Sequence, residues 1–352
     1  MLPSELSHIA QSKGPILVTG HTGFKGTWLT LLLDELNIDW VGVSLPPEKE
    51  SLYQLLNNKK NRKNEHFIDI RDINKLSKLL RSLSPRYVIH LAAQALVLDS
   101  YKNPRNTFET NVMGTYNILE LLMGQQDTET IVVATSDKVY RESKFLPKAF
   151  SESDCLGGLD PYSWSKVATE SVIGAWRQIS KGKTGPKIIS VRSGNVIGGG
   201  DLASNRLLPD IIRGFKDNSK IIIRNEQSTR PWQHVLDPLH GYLLALTSVS
   251  SEPAFNFSPK GKSLPVKKVV EIAVNFWGQN SRIEFKRAKS ERESRNLALN
   301  SKKARQELNW ESKWTQEEAV VSTVRWWKNV ISKSLTPREA CLADVEALIN
   351  EK

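Results

Sequence analysis

Two short stretches of this chain have residue types and spacings suited to proton chemistry. In Asp160-Pro161-Tyr162-Ser163-Trp164-Ser165-Lys166 a tyrosine and a lysine stand four residues apart. On a helix that spacing puts Tyr162 and Lys166 on one face. An ammonium beside a phenol favours the phenolate, and a tyrosine tuned in this way becomes a usable base near neutral pH. A Tyr/Lys pair is also common by chance on exposed helices. The second stretch, Thr130-Ile131-Val132-Val133-Ala134-Thr135-Ser136, is the most strand-like run in the chain and is followed by Asp137-Lys138. Ser-Asp-Lys after a strand can equally be a plain turn with a helix cap.

A third stretch upstream gives these two a context. The apolar run Ile16-Leu17-Val18-Thr19 stops at Gly20, glycines recur at Gly23 and Gly26, and a helical apolar pattern continues to Leu36. This reads as a strand, a tight turn and a helix N-terminus. Gly20 allows the turn, Gly23 lets backbone approach a pyrophosphate, and Gly26 lets helix pack on strand. Free N–H groups and the helix dipole then hold the anion. Alone, the glycine spacing is weak and an ordinary loop would produce it.

The elements needed to bring these stretches together follow in order. Trp40–Ser44 reads as a second strand, Phe67–Asp72 as a third ending in carboxylates, and Tyr87–Ala93 as a fourth closing on small residues. Ile188–Val191 is another. Amphipathic helices are expected over Ile73–Leu83, Thr107–Met123 and Tyr162–Ile179. Strands alternating with helices predict an α/β protein with a doubly wound parallel sheet, whose ligands sit at the carboxyl ends of the strands. The expected strand ends are Gly20, Asp69, Ala93, Ser136 and Arg192. Beyond residue 195 the pattern changes to a Gly198–Asp201 loop, a strand at Ile221–Ile223, and helices over Leu207–Lys216, Pro238–Thr247, Pro265–Trp277 and Gln316–Val330. Thr315 and Glu318 have the spacing of a capping box. The expected organisation is a dinucleotide-binding domain over 1–195 and a smaller, mainly substrate-binding α/β domain over 196–352, with the chain crossing between them.

Composition narrows the classes. The chain has 352 residues, enough for a large core, and no apolar run reaches the roughly 20 residues of a membrane span. Met1–Lys13 is polar, without the apolar segment of a signal peptide, and the only cysteines are Cys155 and Cys341. A reducing cytoplasm is expected. No Cys/His cluster has metal-ligand spacing, so no metal is expected. The net charge of +11 suits anionic small molecules as well as nucleic acid, and no RNA-reading aromatic signature accompanies it. Neither a nucleic-acid nor a membrane partner is expected.

Gly-x-x-Gly-x-x-Gly, Asn111 and Tyr-x-x-x-Lys together resemble the extended short-chain dehydrogenase/reductase superfamily, with its Rossmann-like sheet. Within it, the chain resembles the CDP-glucose 4,6-dehydratase family. The carrying segments are Val18–Gly26, His90–Gln94, Thr110–Thr115, Thr135–Lys138, Asp160–Ser163, Gly194–Asp201 and Arg230–Val235. The resemblance implies bound NAD, held throughout the cycle by Gly20, Thr22, Gly23, Phe24, Lys25, Gly26, Asp69, Ile70, Leu91, Ala92, Ala93, Asn111, Thr135, Tyr162 and Lys166. Ser44 is neutral where an acidic residue would bind the adenosine ribose of NAD, which leaves NADP open, whereas the lack of an arginine in Leu45–Glu50 counts against NADP.

The same resemblance implies the catalytic roles. Tyr162 would take the sugar 4-hydroxyl proton as hydride leaves C4, with Lys166 tuning it and holding the nicotinamide ribose, and Ser136 bonding the 4-oxygen. Asp137 would protonate the departing 6-hydroxyl. Lys138 would have to be neutral to abstract the C5 proton, or else act only through its charge. The implied substrate contacts are Gln94, Asn195, Gln233 and His234, with Arg206, Arg230 and Arg292 as candidate diphosphate clamps, since guanidinium matches phosphate. The implied substrate is a nucleotide sugar such as CDP-glucose. Relatives pair through the helices Thr107–Met123 and Tyr162–Ile179, so a homodimer or dimer of dimers is expected. Two segments depart from the family pattern: Ala95-Leu96-Val97-Leu98 where Pro-Leu-Val-Arg is usual, and Leu202 where Trp is usual. Both bear on the sugar. A 4-epimerase would need no acid/base pair for elimination, so Asp137-Lys138 argues against it. Intact Tyr162, Lys166 and Ser136 argue against a silent nucleotide-binding scaffold.

Overall fold

The computed structural model describes residues 6, 9, 11, 14–56, 62–141, 149–181, 185–251, 253–278, 282–286 and 298–350. Seven parallel strands form the main sheet: β1 (Ile16–Thr19), β2 (Trp40–Ser44), β3 (Glu65–Phe67), β4 (Tyr87–His90), β5 (Thr130–Ala134), β6 (Lys187–Ser193) and β7 (Ala254–Phe257). Their spatial order is β7-β6-β5-β4-β1-β2-β3. The order reverses between β1 and β4, so a crevice opens at the carboxyl ends of these two strands, where doubly wound sheets take ligands. Gly20 and Leu91, the residues that follow β1 and β4, stand side by side there.

The central strands β1, β4 and β5 are mainly apolar because both faces are covered. Side chains alternate between two cores. Ile16, Val18, Ile89 and Val132 face one core with α1 (Phe24–Glu35), while Leu17, Val88, Ile131 and Val133 face the other. That second core is closed by Leu76 and Leu80 of α2 (Ile73–Ser82), Ile118 and Leu122 of α3 (Gly114–Met123), and Ile173 of α4 (Pro161–Ser180). The first is closed by α5 (Leu207–Lys216), α6 (Leu236–Leu246), α7 (Val266–Trp277), α8 (Gln316–Ile331) and α9 (Pro337–Ile349). Small two-strand pairs join Val196–Ile197 to Gln233–His234, Thr229–Arg230 to Leu264–Pro265, and Ile221–Arg224 to Ile283–Lys286. The chain beyond residue 195 returns to the main sheet as β7. No helix of the described residues is long and apolar enough to cross a membrane.

Three expectations are corrected. The third strand is Glu65–Phe67, not Phe67–Asp72. Asp72 is spent as the N-cap of α2, accepting from the Lys75 amide, and Asp69 lies in the turn between. The Thr107–Met123 helix is interrupted by a π-turn at Glu109–Met113, between the short helix Pro104–Phe108 and α3. Arg192 is inside β6, buried and paired with Glu170, rather than facing ligand from a strand end. The Thr315/Glu318 capping box at the start of α8 is present in both directions.

Candidate active site

The glycine loop has the geometry its spacing predicts. Gly20 has φ +76°, and a Cβ there would stand 2.8 Å from the Ala92 amide nitrogen. A Cβ on Gly26 would stand 2.0 Å from Gly20 O. Gly23 is the N-cap of α1, exposed, with no side-chain cap and no acid in the first helical turn. The first amides of α1 are therefore open to an anion, and residues 20–26 fit the pyrophosphate of a dinucleotide. Thr22 donates to Leu45 O (3.0 Å) and its hydroxyl lies 2.7 Å from that of Ser44, so the end of β2 carries a tied pair of hydroxyls in place of a carboxylate.

Across the crevice, β4 ends on a locked histidine. Thr115 gives its proton to Asn111 O, so its oxygen accepts from His90 Nε2–H (3.0 Å), and His90 Nδ1 accepts from Thr19 (2.7 Å). Burial pushes the His90 pKa down to about 3, which keeps the ring neutral. The Ala92 amide donates to Thr19 Oγ1, fixing Leu91–Ala93 beside the glycine loop. Asn111, in the π-turn, accepts from the Gln94 amide (2.8 Å) and donates to Gln94 O and Ser165 Oγ. It staples the β4 loop to α4. Ile70 is buried under α3, where Gly114 makes room for it. The Asp69 carboxylate is gripped by the Arg71 guanidinium, which lowers its pKa.

Ser136, Asp137, Lys138, Tyr162 and Lys166 converge at the end of β5. Asp160 caps α4 through a capping box with Ser163, Pro161 occupies the first helical turn, and the Tyr162 amide donates to Ser100 Oγ. These contacts fix where Tyr162 enters the crevice. One turn later, Lys166 Nζ donates to Ala134 O (3.1 Å), reaching across to β5. Ser136 does cap the 3-10 turn Asp137–Val139, accepting from the Lys138 amide, so the bland reading of this tripeptide is correct as geometry. The turn also carries a buried acid. Asp137 accepts from Ser136 on Oδ1 (3.0 Å), and its buried Oδ2 has no hydrogen-bond partner. Burial raises its pKa against the opposing Lys138 charge, the Ser136 hydrogen bond, Arg230 and Lys25. Lys138 is half-buried, and its charge acts on Asp137.

The phenol differs from expectation. Burial pushes Tyr162 up to about 12, Ser136 and Arg206 work against that, and Asp137 and Asp160 add to it. Lys166 is pushed down to about 8 by burial and then by the Lys25 charge. Lys25 is a member of this cluster that sequence reasoning had placed only at the cofactor. Its ammonium donates to Ser193 Oγ (3.0 Å) and Tyr242 OH (3.3 Å), and burial and Arg206 push it to about 8. A lysine inside a glycine loop, where an apolar residue would serve the packing, was the available signal.

The remaining candidates divide. Asn195 is half-buried and its carbonyl accepts from the Gln233 amide. Arg206 is held by Asp201 (3.0 Å) and reaches Tyr162 and Lys25 electrostatically. Arg230 is buried, donates to Thr229 O and acts on Asp137. The Gln94 side chain donates to Leu96 O and accepts from Thr107. Gln233 is fully buried, bonded to Phe257 O, with an unpartnered Oε1. His234 is turned into the core, against Trp28 and Trp314 and paired with Asp344 of α9, so its ring does not join the cluster. Trp232 is buried and donates to Leu264 O. Arg292 lies outside the described residues.

Comparison with known proteins agrees with this architecture. The chain is 38% identical over 329 residues to the CDP-glucose 4,6-dehydratase of Salmonella typhimurium, covering 89% of this chain and 90% of that protein. It is 26% identical over 349 residues to a UDP-glucose 4-epimerase of Pisum sativum, covering 90% and 97%. Among solved structures, a dTDP-glucose 4,6-dehydratase from Bacillus anthracis in complex with NAD superposes with a TM-score of 0.75 at 22% identity, over 90% of this chain and 97% of that one. The family model described as GDP-mannose 4,6 dehydratase matches residues 17–323. The chain thus belongs to that family, within the epimerase/dehydratase branch of the short-chain dehydrogenase/reductases.

Proposed function

We propose that this protein is an NAD-dependent 4,6-dehydratase of nucleotide sugars, acting on CDP-glucose to give CDP-4-keto-6-deoxyglucose and water. The carrying observation is the buried Asp137 carboxyl, with one unpartnered oxygen and a raised pKa, beside Lys138 and across from Tyr162. An oxidation and re-reduction at C4, as in an epimerase, would leave this acid without work. A 4,6-elimination needs an acid for the departing 6-hydroxyl. The 38% identity to a CDP-glucose 4,6-dehydratase supports the same reading and the choice of cytidine nucleotide.

In this reading the glycine loop and the α1 amides hold the pyrophosphate of NAD, Leu91–Ala93 line its flat face, and Asp69 and Ile70 border the adenine end. NAD, when bound, would accept hydride from C4 and return it to C6. Tyr162 takes the proton of the 4-hydroxyl and Ser136 holds the 4-oxygen. A phenol at about 12 is a poor base, so bound cations must lower it. Lys166 is the nearest such group on α4, and its move from Ala134 O toward the phenol would do this. The 4-keto group then makes the C5 proton acidic, Lys138 in its neutral form removes it and gives it back to C5 after water has left, and Asp137, whose carboxyl burial pushes toward the protonated form, gives its proton to the 6-oxygen. Water leaves and no external reductant is consumed. Arg206, Arg230, Asn195 and Gln94 bind the substrate. Residues 1–195 form the NAD half and 196–352 mainly the substrate half. Sparse cysteines fit a cytoplasmic location. Incubation with CDP-, UDP-, dTDP- and GDP-hexoses tests the proposal: formation of a 4-keto-6-deoxy product from CDP-glucose supports it, and epimerised or unchanged sugar refutes it.

A further inference from the structure

One buried ion pair is tied to every element that carries a catalytic group. Arg192 of β6 donates to Glu170 of α4 through both edges of its fork, Nε to Oε1 at 2.7 Å and Nη2 to Oε2 at 3.0 Å. Glu170 lies one helical turn beyond Lys166 and two beyond Tyr162, on the same face. Its Oε1 also accepts from Thr135 Oγ1 at 2.7 Å, and Thr135 immediately precedes Ser136. The other side of Arg192 reaches the far end of the same turn: Nη1 donates to Tyr140 OH at 2.8 Å, with the guanidinium 5.1 Å from that ring's centre. Tyr140 in turn donates to Asn256 of β7 at 2.7 Å. The tripeptide Ser136-Asp137-Lys138 is therefore held at both ends, by Thr135 and Tyr140, against one ion pair anchored in α4 and β6.

A buried pair of this kind is a poor device for stability alone, because apolar residues of similar volume often do as well. What a fixed, bidentate pair supplies is geometry. The Ser136 hydroxyl acts directly on the Tyr162 phenol, favouring its ionised form. Among the described residues no hydrogen bond joins Asp137 or Lys138 to α4. Beyond the single bonds that tie them to Ser136, their place relative to Tyr162 depends on the clamp.

We propose that Glu170 and Arg192 are positioning residues that set Asp137 and Lys138 against the Tyr162–Lys166 helix, and so govern the elimination step more than the oxidation at C4. This rests on the dehydratase reading above. Once the clamp is loosened, Ser136 still follows Tyr162, while the acid and the base drift from C6 and C5.

The test uses the full chain with bound NAD and CDP-glucose, following the reduced-nicotinamide absorbance and the 4-keto-6-deoxy product in single turnovers. Glu170→Gln and Arg192→Lys break the pair's charge or fork. Tyr140→Phe keeps the pair and removes only the phenolic oxygen that ties it to the far end of the turn and to Asn256, so it decides the matter should the other two fail to fold. In Tyr140→Phe, elimination should slow roughly 10- to 100-fold, as for a catalytic group displaced by about 1 Å, while C4 oxidation changes by less than about 3-fold. Reduced nicotinamide would then build up transiently. Equal losses in both steps, or a lowered melting temperature with the two rates in their native ratio, would overturn the inference. A native chain that makes no such product from any nucleotide sugar overturns the dehydratase reading itself, and the positioning role falls with it.

Discussion

Gly26→Ala probes the link between packing and cofactor binding. The added methyl would stand 2.0 Å from Gly20 O, 2.6 Å from His21 Cα and 2.7 Å from Gly20 C, all backbone atoms without a rotamer to yield. Restoring ordinary contact requires the turn to retreat by roughly 1 Å, a shift that can cost about 100-fold where geometry matters. Overpacking costs about 1–3 kcal/mol, and alanine's helix preference over glycine returns about 1 kcal/mol, so the loss in the unliganded protein is about 0–2 kcal/mol. The larger effect falls on NAD. At a concentration 100 times its dissociation constant, NAD stabilises the native protein by about 2.7 kcal/mol; with affinity reduced 100-fold, the same concentration gives about 0.4 kcal/mol. Thermal unfolding with and without NAD, together with calorimetric titration, reads both quantities. Gly124→Ala is the control, since a Cβ at Gly124 meets nothing within 4 Å. If Gly26→Ala binds NAD like the native chain, the loop does not carry the pyrophosphate.

Asp137→Asn should leave C4 oxidation intact and slow product formation by roughly 10²- to 10⁴-fold, the range for a positioned general acid; single-turnover kinetics would contradict the assignment if both steps survive. Lys25→Met should stabilise the NAD-stripped protein at pH 7. The folded chain carries this ammonium with a pKa lowered to about 8 against 10.5, so between those values the unfolded chain binds more protons and native stability climbs with pH. The gain at pH 7 should be on the order of 1–3 kcal/mol and vanish above about pH 10.5, as urea melts across pH would reveal. In light scattering at micromolar concentration the protein should run as a dimer or a multiple of one. Phe108, Met113, Trp164 and Ile179 stand exposed on the helices expected to pair, and a monomer would contradict that role.

Much of the fold was legible because the central strands are short apolar runs and most helices repeat at their own period. The errors have local physical causes. Phe67–Asp72 looks like a strand, yet Asp72 caps α2 and Asp69 is drawn to Arg71, so the ladder ends at Phe67. The π-turn at Asn111 is invisible to periodicity because its reason is tertiary: the side chain holds Gln94 and Ser165. Tyr162 and Lys166 were legible by spacing, but their electrostatics were not. Burial dominates the phenol, and the lysine faces Ala134 O. His234 lies in a segment that resembles a substrate site, whereas Asp344, 110 residues away, takes its ring. The Glu170–Arg192 pair owes its place to partners far along the chain, and no local pattern announces it, whereas Lys25 had one local signal, a lysine inside a glycine loop.

The central claim is an internal redox cycle around a 4,6-elimination, and one isotope experiment tests it directly. CDP-glucose carrying deuterium at C4 is turned over by the enzyme with its bound NAD and no added reductant. The deuterium should reappear at C6 of a 4-keto-6-deoxy product, transferred within the same molecule when labelled and unlabelled substrates are mixed. Deuterium lost to solvent, returned to C4, or found at C6 only when external reduced cofactor is supplied would contradict the account.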